Sequence, residues 1–265
     1  MDPFHCTLYL EAGRPRITYR GRSVERLDVV IPRLSSATAK YGLEVVAHFE
    51  MLGVPCVNGA EAIRTARHKW QSLRRLAERG LPIPRTFAAG DTEFLERSVR
   101  RIGGYPFLIK PFEGTQGTGI LLFETPLTAR SALDTLWSLR QDYLAQEFHP
   151  EAAGRDLRVL VVGGRAIGAM ERMASEGEFR ANYHRGGFVR SARLGDELAS
   201  IAVTAAETLE LGVAGVDLIR TRRGLLLLEA NPSPGFEGFE QTTQTDVADA
   251  IVRYAVSLAD SNRDG

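Results

Sequence analysis

Two near-continuous apolar runs, Val213-Ala214-Gly215-Val216 and Leu225-Leu226-Leu227-Leu228, lie on either side of a short turn at Thr221 to Gly224. Runs this apolar read as strands covered on both faces, and a turn this short folds them into an antiparallel hairpin. Folding about residue 223 sets Asp217 opposite Glu229, while Asn231, two residues on, shares the face of Glu229. Facing side chains start only about 5 Å apart at Cβ. Two carboxylates at roughly 4 Å repel by about 4 kcal/mol at an effective dielectric of about 20. The hairpin's own arginines offer little relief, since Arg220 faces away from Asp217 and Arg222 and Arg223 sit in the turn. A solvated strand face would tolerate the pair, but the flanking leucines and valines argue for burial. Two carboxylates and an amide oxygen then suit magnesium, which takes few protein ligands and completes its shell with phosphate and water.

The rest of the 265-residue chain is 44% apolar and 25% charged, enough for one large core or several smaller ones. Lysine plus arginine and aspartate plus glutamate both number 33. That balance supplies no overall basic field for nucleic acid or an anionic membrane. Cys6 and Cys56 are too few for a disulfide framework or a structural zinc site. The first residues lack the pattern of a signal peptide, no apolar run reaches membrane-spanning length, and cytoplasm is the expected compartment.

Along the chain, Leu27 to Ile31 reads as a buried strand closed by Pro32, and Tyr41 to Leu52 as a helix stopped at Gly53. Val54 to Val57 looks like a short strand. Asn58 and Glu61 have capping-box spacing for a helix leading into a second, Lys69 to Glu78. A middle unit carries strands at Phe107 to Lys110, Ile120 to Phe123 and Tyr143 to Phe148, with a helix opening at Thr125-Pro126. The last unit pairs Leu157 to Val162 with Arg165 to Met170 across Gly163-Gly164. It adds a helix from Asp196 to about Gly212, the second hairpin, and a final helix from Thr245-Asp246.

Lys110 ends an apolar strand just before Glu113-Gly114-Thr115-Gln116-Gly117-Thr118-Gly119. A cation beside mobile backbone amides suits phosphate oxygens. The loop has neither the Walker Gly-Lys-Ser/Thr nor a following helix, so alone it reads as an ordinary hairpin. The run Glu178 to Gly187 is basic, and Arg180 and Arg185 suit bidentate grip of a carboxylate or a γ-phosphate. A solvated loop explains it equally well.

Together these segments resemble the RimK-like branch of the ATP-grasp superfamily. The likeness rests on Glu113 to Gly119, Glu178 to Asn182, His184-Arg185-Gly186-Gly187, Val213 to Asp217, and Glu229-Ala230-Asn231-Pro232-Ser233-Pro234-Gly235. It runs from about Asp2 to the final helix and includes Val30-Ile31-Pro32-Arg33 and Glu50-Met51-Leu52-Gly53. The resemblance implies an α+β ATP-grasp fold behind an amino-terminal pre-ATP-grasp domain. The resemblance implies either that this domain is shortened or that the true start lies upstream, since family members begin with a strand–helix–strand unit that aligns before Met1. The implied division is residues 1–72 for this domain and a linker helix, 73–256 for the ATP-grasp domain, and 257–265 as a tail. Within the second, a lid covers about 81–145 and a carboxy-terminal subdomain about 146–256.

By matched position, Lys69 and Lys110 would hold phosphates, Glu147 and Phe148 would line the adenine, and Asp156 would face the ribose. Arg180, Ala181 and Asn182 would lie near the γ-phosphate, with Arg180 catalytic. Asp217, Glu229 and Asn231 would bind two magnesium or manganese ions, and Arg172, His184 and Arg185 the substrate. ATP is the implied co-substrate. The implied activity phosphorylates a carboxylate and lets an amine displace the phosphate, adding glutamate to the carboxy terminus of a small-subunit ribosomal protein. Another amino acid, or a small-molecule, coenzyme or carrier-protein acceptor, is the alternative. A nucleotide-binding module without turnover is a reading of a different class, and a homo-oligomer stays open.

Overall fold

The computed structural model describes residues 1–24, 26–91, 93–114, 119–175, 178 and 187–263. Its amino-terminal part is an antiparallel meander of β1 (Cys6–Tyr9), β2 (Arg16–Tyr19) and β3 (Arg22–Ser23). Three helices follow: α1 (Ala39–Met51), α2 (Ala60–Arg67) and α3 (Lys69–Glu78). Helix α1 buries Leu43, Val46 and Phe49 at helical spacing and ends where Gly53 takes a φ of +76°.

Three expectations fail in this part. Leu27 to Ile31 is not a buried strand: its one ladder contact is the parallel bridge Val30–Cys56, and Leu27 and Ile31 are 36% and 37% exposed. Val54 to Val57 is likewise reduced to that bridge and does not form a strand. Nor does Asn58 cap α2. The cap position is Gly59, and the free amide of Ala60 is met by the Glu50 carboxylate of α1, at 3.2 and 3.3 Å. Glu61 pairs with Arg64 instead. Asn58 is drawn away because it has better partners: its side chain donates to Val213 O and Pro232 O, each at 2.8 Å, and accepts from Val213 N at 3.0 Å. All four hydrogen-bonding sites of a buried amide compete for partners, and here three are filled at once.

The middle part is a four-stranded antiparallel sheet in the order β4-β7-β5-β6. It comprises β4 (Thr86–Ala88), α4 (Leu95–Arg101), β5 (Phe107–Pro111), β6 (Leu121–Phe123), α5 (Pro126–Ser138) and β7 (Tyr143–Glu147). Phe107, Ile109, Tyr143 and Ala145 pack against Leu95 and Val99 of α4 and Ala129 and Leu133 of α5. Strand alternation therefore sends Lys110, Leu144 and Gln146 to the opposite face.

The last part is a five-stranded antiparallel sheet in the order β10-β9-β8-β11-β12. Its strands are β8 (Arg155–Val162), β9 (Arg165–Met173), β10 (Phe188–Ala192), β11 (Val213–Thr221) and β12 (Gly224–Asn231). Helix α6 (Asp196–Thr208) covers one face through Leu198, Ala202 and Ala205, against Leu157, Val159, Val216 and Leu218. Helices α7 (Glu237–Thr243) and α8 (Val247–Arg263) cover part of the other through Phe239, Val247 and Ile251, against Leu160, Val162 and Met170. Strand β10 lies directly after the basic run and was hidden by it. Helix α8 continues to Arg263, through the stretch read as a tail. Among the described residues no helix is long and apolar enough to cross a membrane.

Candidate functional site

Asp217 and Glu229 are register partners in β11 and β12, with Asn231 opposite Gly215. The route to this pairing is a β-bulge. The turn is only Arg222-Arg223, between the pair Thr221 and Gly224, so a regular ladder would set Asp217 against Leu228. The register shifts after Leu218–Leu227, and Leu228 becomes the extra residue. Leu227 and Ala230 pack on the α6 side, whereas Leu228 packs with Ile219 and Leu226 on the other. Without the shift Glu229 would point into the core under α6.

The face that the bulge assembles is strongly charged. Asp217 is 2% exposed, yet it is not left repelling Glu229. Arg158, its register partner on β8, donates from Nε to Oδ1 and from Nη2 to Oδ2, both at 2.7 Å. Arg172 on β9 donates from Nη2 to the same Oδ2 at 2.7 Å. Arg172 also forks onto Asp156, at 2.6 and 2.7 Å. The expectation that no arginine neutralises Asp217 is thus overturned. It considered the hairpin's own residues, and the neutralising cations come from strands reached through a helical crossover.

Burial raises the Asp217 carboxyl, but the two guanidinium groups outweigh it and hold its pKa below the usual range. Burial outweighs the pull of Arg172 and Arg158 on Asp156, Asp217 adds to the rise, and the pKa of Asp156 is pushed up to about 6. Burial lowers the Arg172 guanidinium, yet the two carboxylates outweigh that and raise it. Arg172, expected at the substrate, is placed as the internal counter-ion of Asp156 and Asp217.

These residues fit a hard cation in a limited way. Among the described residues no cluster of three or more His, Cys, Asp or Glu side chains is gathered. The donor set is two carboxylates and an amide, all oxygen, as magnesium prefers. Glu229 is half-buried and has no hydrogen-bond partner among the described residues, and Asn231 Oδ1 accepts only from Ser233 N, at 2.9 Å. Asp217 Oδ1 takes one hydrogen bond and Oδ2 two, so Oδ1 keeps a lone pair. Gly215 lets the loop after Asn231 fold over this face: a Cβ there would meet Pro234 Cβ at 2.7 Å.

Two lysines from other elements lie within electrostatic reach of Glu229. Lys110 of β5 is 9% exposed and donates from Nζ to Gln146 Oε1 at 2.6 Å. Burial lowers its pKa to about 8, with Glu229 opposing the fall and Lys69 adding to it. Lys69 opens α3 and donates from Nζ to Gly114 O at 2.7 Å, while its amide donates to Phe112 O. Burial lowers its pKa too, again opposed by Glu229. The site therefore joins α3, β5 and β12, although their sequence positions give no hint of it.

Glu147 ends β7 with its carboxylate committed: Oε1 accepts from Arg85 N at 2.8 Å and from Arg223 Nη2 at 2.5 Å. Burial raises its pKa, but these donors prevail and lower it. His149 Nε2 lies 3.3 Å from the same oxygen. Phe148 is half-buried beside it. Thr115 to Thr118, and Arg180, Ala181, Asn182, His184 and Arg185, fall outside the described residues. Sequence reasoning missed Arg158. Its position two residues beyond Asp156, on the same strand face, was the available signal.

Comparison with known proteins agrees with this architecture. Residues 66–255 match the RimK-like ATP-grasp domain and residues 1–63 the RimK pre-ATP-grasp domain. A probable α-L-glutamate ligase of Teredinibacter turnerae is 43% identical over 263 residues, covering 99% of this chain and 87% of the relative. One from Maridesulfovibrio salexigens is 42% identical over 254 residues, covering 96% and 84%. Among solved structures, the ATP-grasp ligase PsnB with a phosphomimetic variant of its minimal precursor, Mg and ADP superposes with a TM-score of 0.74. It shares 20% identity, over 96% of this chain and 86% of PsnB. D-alanine–D-alanine ligase of Bacillus anthracis with ATP gives 0.69 at 17% identity, over 89% and 81%. The chain belongs to the RimK-like family of ATP-grasp ligases.

Proposed function

We propose that this ligase joins the amino group of glutamate to a carboxylate at the carboxy terminus of a small-subunit ribosomal protein, or of a similar peptide, by way of an acylphosphate. The observation that carries the chemistry is that Lys69, Lys110 and Glu229, from three different elements, lie within electrostatic reach of one another. Two ammonium groups beside an oxygen-donor face suit a nucleotide's phosphates. The choice of glutamate draws on the names of the relatives.

In this reading Lys69 and Lys110 hold the phosphates, Glu147 and Phe148 border the adenine, and Asp156 faces the ribose. Arg180, Ala181 and Asn182 act at the γ-phosphate, and His184 and Arg185 at substrate carboxylates. Arg172 acts by fixing Asp156 and Asp217. Asp217, Glu229 and Asn231 would hold one or two magnesium or manganese ions, which when bound neutralise phosphate charge and polarise the phosphoryl oxygen. The acceptor's carboxylate oxygen attacks the γ-phosphorus and ADP leaves. The amine of glutamate then attacks the acyl carbon, inorganic phosphate leaves, and the amine loses a proton. Cationic side chains stabilise the charge on the phosphoryl group and the later oxyanion.

The test is to incubate the protein with ATP, magnesium and glutamate, adding in turn a ribosomal-protein tail peptide, a small carboxylic acid or nothing, and to weigh the products. Glutamate added to the tail peptide supports the reading. Extension of the small acid alone would move the acceptor to the small-molecule class, and ATP binding without any product would mark a non-catalytic module.

A further inference from the structure

Among the described residues, Lys110 Nζ is held by a single buried neutral group, and that group is itself held in one orientation. Gln146 is 1% exposed and lies on β7 between β4 and β5. Its Oε1 accepts from Lys110 Nζ at 2.6 Å, and its Nε2 donates to Thr86 Oγ1 at 3.0 Å. Thr86 Oγ1 in turn donates to Pro84 O at 2.8 Å.

The chemistry of the two ends fixes the middle. A carbonyl only accepts, so the single Thr86 proton is committed to Pro84 and the hydroxyl oxygen faces Gln146 as an acceptor. An ammonium only donates, so the amide must turn its oxygen to Lys110. Both ends demand the same amide orientation, and neither would stabilise the flipped one. The relay runs from the backbone at Pro84, just before the four-stranded sheet, to the buried ammonium group of Lys110.

We propose that Gln146, oriented by Thr86, is a positioning residue that aims Lys110 at the nucleotide phosphates. The proposal rests on the reading of Lys110 as a phosphate-holding group. One Lys110 proton goes to the amide, which leaves two for anionic oxygens. Being neutral, Gln146 fixes the lysine without cancelling its charge, as a carboxylate at this position would. Gln146 reaches phosphate only through Lys110, so its effect belongs to nucleotide affinity and not to affinity for glutamate.

The experiment compares Lys110→Met, Gln146→Met, Gln146→Glu, Thr86→Val and Thr86→Ser in the full chain. ATP affinity is measured by calorimetry, KM for ATP and for glutamate are measured separately, and thermal unfolding checks the fold. Gln146→Met should weaken ATP binding about tenfold or more, the scale of one hydrogen bond to a charged group. Gln146→Glu should weaken it as well, because its carboxylate competes with phosphate for the ammonium. Thr86→Val should weaken it about threefold, with Thr86→Ser restoring it. KM for glutamate should stay within about twofold throughout, and Lys110→Met combined with Gln146→Met should be no worse than Lys110→Met alone.

Unchanged ATP affinity in Lys110→Met overturns the phosphate reading of Lys110, and the relay's role with it. A clear loss in Lys110→Met beside none in folded Gln146→Met and Thr86→Val overturns the relay alone. Additive losses in the double variant, or a Thr86→Ser protein as weak as Thr86→Val, overturn it too. Should Gln146→Met unfold, the Thr86 pair and Gln146→Glu decide the matter.

Discussion

Arg158 and Asp217 are register partners on neighbouring strands, and the guanidinium meets the carboxylate side-on with two 2.7 Å hydrogen bonds. With Arg172 as a third donor, this carboxylate is the hub of a buried ion network. Its loss therefore leaves two guanidinium groups short of a partner. Asp217→Asn should destabilise the metal-free protein by about 3 kcal/mol, in the range for breaking a buried pair from one side. Repulsion from Glu229 alone would predict the opposite sign. Urea unfolding in the presence of a chelator measures it, and a variant as stable as the parent would remove the network from the account of stability.

Glu229 should behave differently from its register partner. It has no hydrogen-bond partner among the described residues, and Lys69 and Lys110 reach it only electrostatically. Glu229→Gln should stay within about 0.5 kcal/mol of the parent in metal-free unfolding, as for substitutions that break no buried feature. Ligation should nevertheless fall by roughly a hundredfold or more, the scale for losing an electrostatic contact to a transition state. Near-normal turnover at saturating magnesium would take Glu229 out of the cation site.

Lys110 gives the site a pH signature. Its folded pKa is lowered from 10.5 to about 8. Below about pH 8 it is charged in folded and unfolded chains alike, and ATP affinity should be level with respect to this group. Above that the folded lysine turns neutral and ATP binding should weaken. Over the same window the unfolded chain binds more protons than the folded one, so this group makes ATP-free stability rise with pH from about 8 to 10.5. Calorimetric ATP titrations across the window, with Lys110→Met as the reference, check the assignment. A decline equally steep in that variant would place the titrating group elsewhere.

The order of bond making also has a distinct outcome. Acceptor carboxylate labelled with ¹⁸O should pass label into inorganic phosphate, seen by mass spectrometry. Label in AMP would replace the acylphosphate with an acyl-adenylate.

The sequence made the Asp217–Glu229 pair legible because a hairpin is local: a short turn and two apolar runs determine which residues meet. It concealed the bulge at Leu228, which reached the same pairing through a tighter turn. Arg158 and Arg172 stayed out of sight because β8 and β11 pair across a crossover. Local rules also misread Asn58, whose capping spacing is real but whose buried partners lie more than 150 residues away. Leu27 to Ile31 has the composition of an interior strand, yet composition does not supply the neighbours that would bury it. The basic run hid β10 for a related reason, since Phe188 to Ala192 is exposed or only half-buried throughout and lacks a buried apolar stripe.

The Asn58 amide, bonded at once to Val213 on β11 and to Pro232 just past β12, has a mechanical consequence. It rivets the amino-terminal helices to the hairpin bearing Asp217 and Glu229, so those parts travel as one body. The four-stranded sheet is attached differently. Its chain enters at Arg85 and leaves at Glu147, and these residues clasp each other through Glu147 N to Arg85 O at 2.9 Å and Arg85 N to Glu147 Oε1 at 2.8 Å. The sheet is held a second time at α3, where the Lys69 amide donates to Phe112 O and Lys69 Nζ to Gly114 O, each at 2.7 Å, so a rotation about this two-stranded neck that parted Lys110 from Glu229 would first have to break those two bonds.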